Sequence, residues 1–393
     1  AGTQFRFTVD VLDATVRNQL EQDPTTTLRI TVFAPVTTRE QVRSITEGAE
    51  PVRELAVADL RLIQLAQTET NNFTAFLSST ARTNSLLLTD DGVYPIQISF
   101  MRDGQPVSKL NTFVNFYNSS TETSRLPIAI ASKVTTPLAL APNGTIVISG
   151  ATRKKLANLA QSLESGGAPL SVQVSPEILD GLAQSTQPID IDLLTRLQTA
   201  FSNHDLLRAP FVPFDPSSAQ RTGRINDFLQ LQSLGDEIIE LRNGDKNLST
   251  NIWFSNVLID ADGTELLHDF NVHTVVLTPQ AAAKIGALDN YAKPYRISSD
   301  VALRTTDPLY ATALTSNQRN PVITAYSLAA ELLMQRQEIT DGGGVMSSNF
   351  VILSTTTGAP IDAKLLTPLA IAIDRAPQLR LRALSSIPRA NSE

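Results

Sequence analysis

The stretch Leu126-Pro-Ile-Ala-Ile-Ala-Ser132 marks the point where the pattern of the sequence changes. It is an apolar run of strand length, and a segment with helical character follows it over residues 151–163, ending before Gly166-Gly167. A second apolar run, Leu170-Ser-Val-Gln-Val174, comes next. Short buried strands that alternate with helices are typical of βα units around a parallel sheet.

The alternation continues to the end of the chain. Apolar runs predict further strands at 206–212, 251–254, 273–277, 295–297, 301–304, 349–353 and 379–383. Apolar residues at helical spacing predict helices at 190–201, 226–241, 322–337 and 361–374. Residues 126–393 therefore hold seven or eight βα units, and a length of roughly 250 residues is typical of a closed (β/α) barrel. An open doubly wound sheet is the alternative.

The first 125 residues show a different pattern, in which apolar and polar residues alternate. This alternation predicts strands at 4–12, 27–33 and 94–100. Gly104 lies in a turn signal between two such runs, so residues 93–117 predict a β-hairpin. Strands of this kind joined by short turns indicate an immunoglobulin-like β-sandwich.

A polar, turn-rich stretch over residues 118–124 is typical of a linker. We therefore expect two domains: an immunoglobulin-like β-sandwich over 1–125 and a (β/α) barrel over 126–393.

Composition excludes several classes of chemistry. The 393 residues include no cysteine and three histidines, and the net charge is −7. Disulfide scaffolds, thiol nucleophiles and iron–sulfur sites need cysteine, and nucleic-acid binding needs a basic face. No apolar run reaches the roughly 18 residues of a membrane span, and no Gly-x-Gly-x-x-Gly or Walker loop follows a strand. We expect no cofactor, no nucleic-acid partner and no membrane span within this chain.

Several segments together resemble a known family. They are Gly92–Ile98 with its Gly-Val-Tyr-Pro, Ala168–Glu177 with Ser-Pro-Glu after a strand, the region Phe201–Asp215, Ser249–Phe254 with Thr-Asn-Ile-Trp-Phe, and residues 325–380. Their order is similar to that in a family of actinobacterial cell-envelope proteins of unknown function, often encoded beside the lipid II flippase. In Phe201–Asp215 the spacing between Pro210 and Asp215 departs from the family's pattern.

The resemblance implies an exported protein of the cell envelope, extracellular or anchored by a membrane helix beyond Glu393. It also implies a barrel similar to the glycoside hydrolase/polysaccharide deacetylase superfamily of seven-stranded barrels. The expected partner is then a cell-wall or surface glycan, or another envelope protein.

Deacetylases of that superfamily hold a metal with Asp-Asp after the first strand and His-x-x-x-His after the second. Here the first strand leads into Ala131-Ser-Lys-Val-Thr-Thr-Pro137 and the second into Val174-Ser-Pro-Glu-Ile-Leu-Asp180, which lack those ligands. The three histidines, His204, His268 and His273, fall at helix ends or a strand start, where a structural or surface role is expected. We therefore expect no metal site.

Glycosidases use two carboxylates, and barrel enzymes place them at the carboxyl ends of the strands. Glu177, Asp215 and Asp260 are the candidates for acid, nucleophile or base. Each also has a structural explanation at a helix start: Glu177 follows Ser175-Pro176, and Asp215 and Asp260 have the pattern of N-caps. Trp253, the only tryptophan, is the candidate sugar platform, although a place in the buried core is the commoner role of such a residue.

Three functions remain open. We favour a non-catalytic barrel that acts as a glycan-binding or scaffold module, because the metal ligands are missing and the acids fit helix caps. The alternatives are a metal-independent glycoside hydrolase on cell-wall or surface polysaccharide and a protein-interaction module in peptidoglycan assembly.

Overall fold

The structure is a computed structural model that describes residues 4–11, 13–65, 72–79, 85–117, 124–165, 167–243, 248–286, 288–297, 300–315 and 320–388. The chain divides into two compact units. The first comprises Ala1–Glu122 with Tyr326–Glu338, and the second comprises Thr123–Ala325 with Ile339–Glu393. The linker predicted at 118–124 lies almost entirely outside the described residues, since only Ser124 is described.

The first unit contains antiparallel strands, two helices from the N-terminal part of the chain and helical residues 326–338. The elements in chain order are β1 (Gln4–Asp10), α1 (Ala14–Gln22), β2 (Thr27–Phe33), α2 (Arg39–Thr46), β3 (Glu54–Arg61), β4 (Asn72–Ser78), β5 (Gly92–Arg102) and β6 (Gln105–Phe116). Four of the strands form a sheet in the order β3-β2-β5-β6, and β1 pairs with β4. One hydrophobic cluster joins both sets of strands, with Phe7, Ile30, Phe73 and Tyr94 among its members.

The predicted hairpin is confirmed, with β5 and β6 paired antiparallel around a two-residue turn. Asp103 and Gly104 in that turn have φ values of 49° and 75°. Positive φ at both central residues is typical of a type I′ turn, whose twist matches that of the strands. Helix α2 begins after the N-cap Thr38, whose side chain accepts a hydrogen bond from the backbone N–H of Gln41.

Helical residues 326–338 belong to the first unit although they are distant in sequence. Arg43 Nε on α2 lies 2.8 Å from Glu331 Oε2, and Thr46 Oγ1 lies 3.0 Å from Ser327 Oγ. Local patterns in the sequence do not predict these contacts, because the partners are more than 280 residues apart.

The second unit is a mixed α/β structure. Its strands are β7 (Leu126–Val134), β8 (Leu170–Val174), β9 (Asp205–Leu207), β10 (Leu248–Ser249), β11 (Ile252–Ser255), β12 (Thr274–Leu277), β13 (Tyr295–Arg296), β14 (Ala302–Thr305), β15 (Val351–Leu353) and β16 (Leu379–Leu381). Its helices are α3 (Gly150–Glu164), α4 (Pro176–Gln184), α5 (Pro188–Phe201), α6 (Pro216–Arg221), α7 (Ile225–Asn243), α8 (Ala261–Asp269), α9 (Pro279–Ala282), α10 (Pro308–Thr315) and α12 (Ala363–Asp374). Helix α11 (Pro321–Asp341) contributes its two ends to this unit and its residues 326–338 to the first.

The strands of this unit form two sheets that are parallel except for one edge strand. The first has the order β10-β9-β8-β7-β15 with β16 also paired to β7, and the second has the order β11-β12-β14-β13, where β13 is antiparallel. Only Thr250 and Asn251 separate β10 from β11, so the chain passes directly from one sheet to the other. Arg304 Nη1 on β14 donates to the carbonyl of Phe350, 3.5 Å away and next to β15.

Side chains from both parallel sheets share one buried cluster. Its members are Ala129, Ala131, Leu207, Ile252, Phe254, Val276, Phe350, Ile352, Leu384 and Ile387. Because side chains alternate along a strand, these residues define a common inner face, and their neighbours face the helices. The small alanines of β7 pack in the same cluster as the phenylalanines, so the interior is filled at high density.

Helix α7 packs against the segment that follows β9. A Cβ atom at Gly235 would lie 2.2 Å from the carbonyl oxygen of Ala209 and 2.9 Å from the nitrogen of Phe211. The Phe211 N–H donates to the carbonyl of Leu231 at 2.7 Å. The helix therefore fixes the position of residues 209–211 through backbone contacts that only glycine permits.

We predict that Gly235→Ala lowers the free energy of unfolding by about 1–3 kcal/mol, because backbone atoms must move to admit the methyl group. Gly150→Ala is the matched control: no atom lies within 4 Å of its added Cβ, and its φ is not positive. The control should leave stability unchanged or raise it by up to about 1 kcal/mol. Urea denaturation measures both, and equal stabilities would contradict the close packing.

Candidate functional site

A cavity of about 240 Å³ opens at the carboxyl ends of β7, β8, β9 and β11. It is lined by Lys133, Val134, Thr135, Thr136, Gln173, Ser175, Ala209, Pro210, Pro213, Phe214, Asp215, Pro216, Trp253, Ser255, Asn256 and Val257. In parallel α/β folds this edge of the sheet is where ligands bind, because loops from several strands converge there.

Lys133 lies on the inner face at the end of β7. It follows Ala129 and Ala131 at a spacing of two, and both alanines belong to the buried cluster shared by the sheets. Its Nζ donates to the carbonyl of Phe254 on β11 at 3.2 Å. Its backbone N–H donates to the carbonyl of Gly358 at 2.6 Å.

Gly358 makes this arrangement sterically possible. Its φ is 83°, in the left-handed region, and an added Cβ would lie 3.0 Å from Thr278 and 3.5 Å from both Lys133 and Phe254. A side chain at residue 358 would therefore be strained and would press on the lysine and on the phenylalanine beside it.

Gln173 is the neighbour of Lys133 across the ladder between β7 and β8. It is 3% exposed, and its Nε2 donates to the carbonyl of Arg208 at 2.8 Å. Beyond it, Ser175 Oγ donates to the carbonyl of Phe211 at 3.2 Å. Ser175 thus occupies the predicted N-cap position of α4, but its hydroxyl donates to a carbonyl and does not cap the helix amides.

Burial lowers the pKa of Lys133 to about 8. Among the described residues, no carboxylate forms an ion pair with this lysine. A positive charge taken from water without a counter-charge is costly, so the protonated form is disfavoured. Such groups in clefts are candidates for functional sites.

Asp215 is the one acidic side chain among the described residues that line the cavity. It caps α6, and its carboxylate accepts hydrogen bonds from the backbone N–H groups of Ser217 at 3.3 Å and Ser218 at 3.1 Å. The Ser218 hydroxyl donates to it at 2.7 Å. Three donors already occupy this carboxylate, as the predicted N-cap role requires.

Glu177 lies away from the cavity lining and is 3% exposed. Its two oxygens accept from the backbone N–H groups of Ala139 at 3.0 Å and Leu140 at 2.7 Å. The carboxylate therefore holds the loop after β7 in place from the first turn of α4. This is a structural function that the local sequence did not indicate.

Asp260 also lies outside the cavity lining, at the start of α8. Its carboxylate accepts from the backbone N–H of Gly263 at 2.9 Å, and Arg221 lies 3.7 Å from it. Its own N–H donates to Ser217 Oγ at 2.9 Å, which connects α6 to α8. The structure thus places Asp260 as a helix cap and brings only Asp215, of the three acids, to the cavity.

Trp253 lines the cavity but is 5% exposed. It alternates with Ile252 and Phe254, so it faces the helices, where its ring centroid lies 5.9 Å from that of Phe228. The ring therefore belongs mainly to the core and offers little of its face to a ligand. Its role in sugar binding stays a prediction, as do the catalytic roles of the three acids.

The histidines lie apart from the cavity lining. His204 is buried, its Nδ1 accepts from the N–H of Leu170 at 3.2 Å, and its other ring nitrogen lies 3.0 Å from the carbonyl of Leu163. Burial lowers the pKa of His204, which agrees with a neutral structural histidine. His268 is half exposed, and His273 lies 2.9 Å from Asn271.

The described ranges contain no group of three or more histidine, aspartate or glutamate side chains that could hold a metal ion. No helix in these ranges is sufficiently long and apolar to cross a bilayer.

Sequence reasoning missed Lys133, Thr136 and Gln173 as site residues. The available signal was a lysine at an inward-facing position of a strand whose other inward residues are alanines. A charged residue in such a run is unusual, because burial of an unpaired charge is unfavourable. Identifying its neighbours required the register of β7 and β8, which the sequence does not display.

Comparison with known proteins gives distant structural likenesses. No family model matches the chain. No curated protein matches it either. Among solved structures, 4-α-glucanotransferase from Thermococcus litoralis aligns with 67% of this chain and 40% of its own, at 13% identity and a TM-score of 0.45. The α-amylase AmyC from Thermotoga maritima aligns with 67% of this chain and 74% of its own, at 11% identity and a TM-score of 0.44.

A GH57-type branching enzyme from Pyrococcus horikoshii aligns with 66% of this chain and 69% of its own, at 10% identity and a TM-score of 0.39. The alignment with the 4-α-glucanotransferase covers 40% of that enzyme, so this chain spans less than two thirds of its length. At such identities, with TM-scores below 0.5, nothing about activity or substrate transfers from these enzymes to this chain.

We predict that Glu177→Gln destabilises the protein by about 1–3 kcal/mol, because the amide N–H₂ would face one of the two backbone donors that the carboxylate accepts. Glu237→Gln, on an exposed position of α7, is the matched control and should have no effect beyond about 0.5 kcal/mol. Chemical denaturation of the two variants measures the difference. Full stability of Glu177→Gln would remove the structural role assigned to this carboxylate.

Proposed function

We propose that the protein is a non-catalytic glycan-binding module whose cavity, at the carboxyl ends of β7, β8, β9 and β11, holds a sugar. The observation that carries this proposal is the lining of the cavity. It combines hydrogen-bonding side chains with one carboxylate, and that carboxylate is already engaged as a helix cap.

The lining fits the chemistry of a sugar. Polar side chains such as Thr135, Gln173 and Asn256 supply donors and acceptors for hydroxyl groups, while Pro213 and Phe214 supply apolar surface for C–H faces. The volume of about 240 Å³ lies below the roughly 300–1,000 Å³ of pockets for drug-sized ligands, so one sugar ring is the expected occupant.

Hydrolysis has less support. Retaining and inverting glycosidases need two carboxylates, about 5–5.5 Å or 6.5–9.5 Å apart. Asp215 is the only carboxylate among the described residues of the cavity lining, and three donors hold it. Glu177 and Asp260 each accept backbone N–H groups outside the lining.

We also propose a fold for each unit and a cellular location for the protein. We propose that the second unit is a closed barrel related to the glycoside hydrolase/deacetylase superfamily, and that the first is an immunoglobulin-like domain. The buried cluster common to both parallel sheets supports the closed barrel. The antiparallel sheet and its shared core support the immunoglobulin-like domain. The resemblance of the sequence to actinobacterial envelope proteins supports export and a cell-wall or surface glycan as partner.

The single tryptophan of the chain, Trp253, lines the cavity, so its fluorescence can report the binding of a sugar there. We predict saturable binding of monosaccharides or short oligosaccharides, seen by isothermal titration calorimetry and as a change in Trp253 fluorescence, with no release of reducing ends. Asn256→Tyr, at an exposed position of the lining, should weaken binding by about tenfold or more, because the larger side chain obstructs the opening.

Gln161→Tyr is the control, since it adds the same side chain at an exposed position of α3 outside the lining. It should bind as the parent does. Failure of a panel of neutral and acidic sugars to bind the folded protein would overturn the proposal. Release of reducing ends that Asp215→Asn abolishes would instead establish the hydrolase.

A further inference from the structure

We infer that the cavity recognises a sugar that carries a carboxylate, such as a uronic acid, and that Lys133 and Thr136 bind the carboxylate group. This inference rests on the proposed glycan-binding function and specifies the chemical class of the ligand.

The first observation is an uncompensated cation. Lys133 is the only basic side chain among the described residues that line the cavity, and no ion pair is formed with it in the described part of the chain. An ammonium group has three N–H donors, and the described contacts of Lys133 use one of them, toward the carbonyl of Phe254. An anionic ligand would supply the missing counter-charge and accept a further hydrogen bond.

The second observation is an unpaired hydroxyl on another lining residue. Thr136 lines the cavity, and its Oγ1 is buried without a hydrogen-bond partner within the described residues. Buried polar groups are nearly always paired, so an unpaired hydroxyl beside a cavity indicates a partner supplied by a ligand or water. A carboxylate has two oxygens, which suits one charged and one neutral donor.

Asp215, the acidic residue of the cavity lining, does not supply the counter-charge of Lys133. The carboxylate of Asp215 accepts from two backbone N–H groups and one hydroxyl at the start of α6. Burial is the single cause of the lowered pKa of Lys133, with no contribution from a nearby carboxylate. The Asp215 carboxylate is therefore bonded at the start of its own helix, and Lys133 remains available to an anionic ligand.

A purely structural role for Lys133 is the competing explanation. The hydrogen bond from Nζ to the Phe254 carbonyl joins β7 to β11 and could serve stability alone. The two explanations differ in a measurable way. Substitution of a structural lysine affects acidic and neutral sugars equally, whereas substitution of a carboxylate-binding lysine weakens the binding of acidic sugars more than that of neutral sugars.

The test is isothermal titration calorimetry with galacturonate and glucuronate against galactose and glucose, using the full chain. The parent protein should bind an acidic sugar about 10–100-fold more tightly than its neutral counterpart, the range expected for a charge-assisted contact. Lys133→Met, which keeps the aliphatic length, should abolish that preference by weakening the binding of the acidic sugar more than that of the neutral sugar. Lys154→Met, which removes the same charge from an exposed position of α3, should preserve it.

The pH dependence provides a second readout. Among the described lining residues, Asp215 is the other charged group, and its carboxylate accepts the hydrogen bonds at the start of α6. Affinity for the uronic acid should be constant between about pH 5 and 7, where the sugar carboxylate is ionised, and should fall as pH rises through about 8, where free Lys133 loses its proton. Lys133→Arg should remove this fall, because arginine stays charged.

Equal affinity for acidic and neutral sugars would overturn the inference and leave the proposed function intact. Binding of no sugar at all would overturn both. If Lys133→Met does not fold, as judged by circular dichroism, Thr136→Val replaces it: the variant keeps the shape, and it should reduce the preference for the acidic sugar. An unchanged preference in that folded variant would contradict the inference.

Discussion

The buried cluster that the two parallel sheets share determines where the candidate site lies. Ala129 and Ala131 on β7 pack in the same cluster as Phe254 and Phe350, so strands from both sheets present one inner face. Dense packing allows little freedom in that arrangement, since a gap or an added methylene is unfavourable. The next inward residue of β7 is Lys133, which consequently comes to the end of the cluster and to the base of the cavity.

The acids after the strands are explained by the same architecture. In a βα unit the chain leaves a strand and starts a helix within a few residues, and the first N–H groups of that helix need acceptors. Asp215 and Asp260 supply those acceptors for α6 and α8, and Glu177 supplies acceptors for the loop before α3. A carboxylate at a strand end therefore has a structural use in this fold.

Local patterns predicted the elements with strong periodicity. The hairpin around Gly104 and the strand β2 were predicted from alternation and turn chemistry, and the caps at Asp215 and Asp260 from the N-cap pattern. Helix α1 and strand β3 were not predicted, since their apolar residues follow neither period clearly over a sufficient length.

The candidate site was only partly predictable, because it depends on contacts between distant parts of the chain. Gly358 contacts Lys133 across more than 220 residues, and the neighbour relation of Lys133 and Gln173 depends on the register of two strands. The sequence predicted the caps at Asp215 and Asp260, but it could not show that Glu177 accepts the backbone N–H groups of Ala139 and Leu140.

The most direct measurement is a crystal structure of the protein soaked with galacturonate. The account predicts electron density for one sugar ring in the cavity at the carboxyl ends of β7, β8, β9 and β11, with its carboxylate within hydrogen-bond distance of Lys133 Nζ and Thr136 Oγ1. An empty cavity under conditions where calorimetry shows saturation, or a sugar bound elsewhere on the molecule, would contradict it.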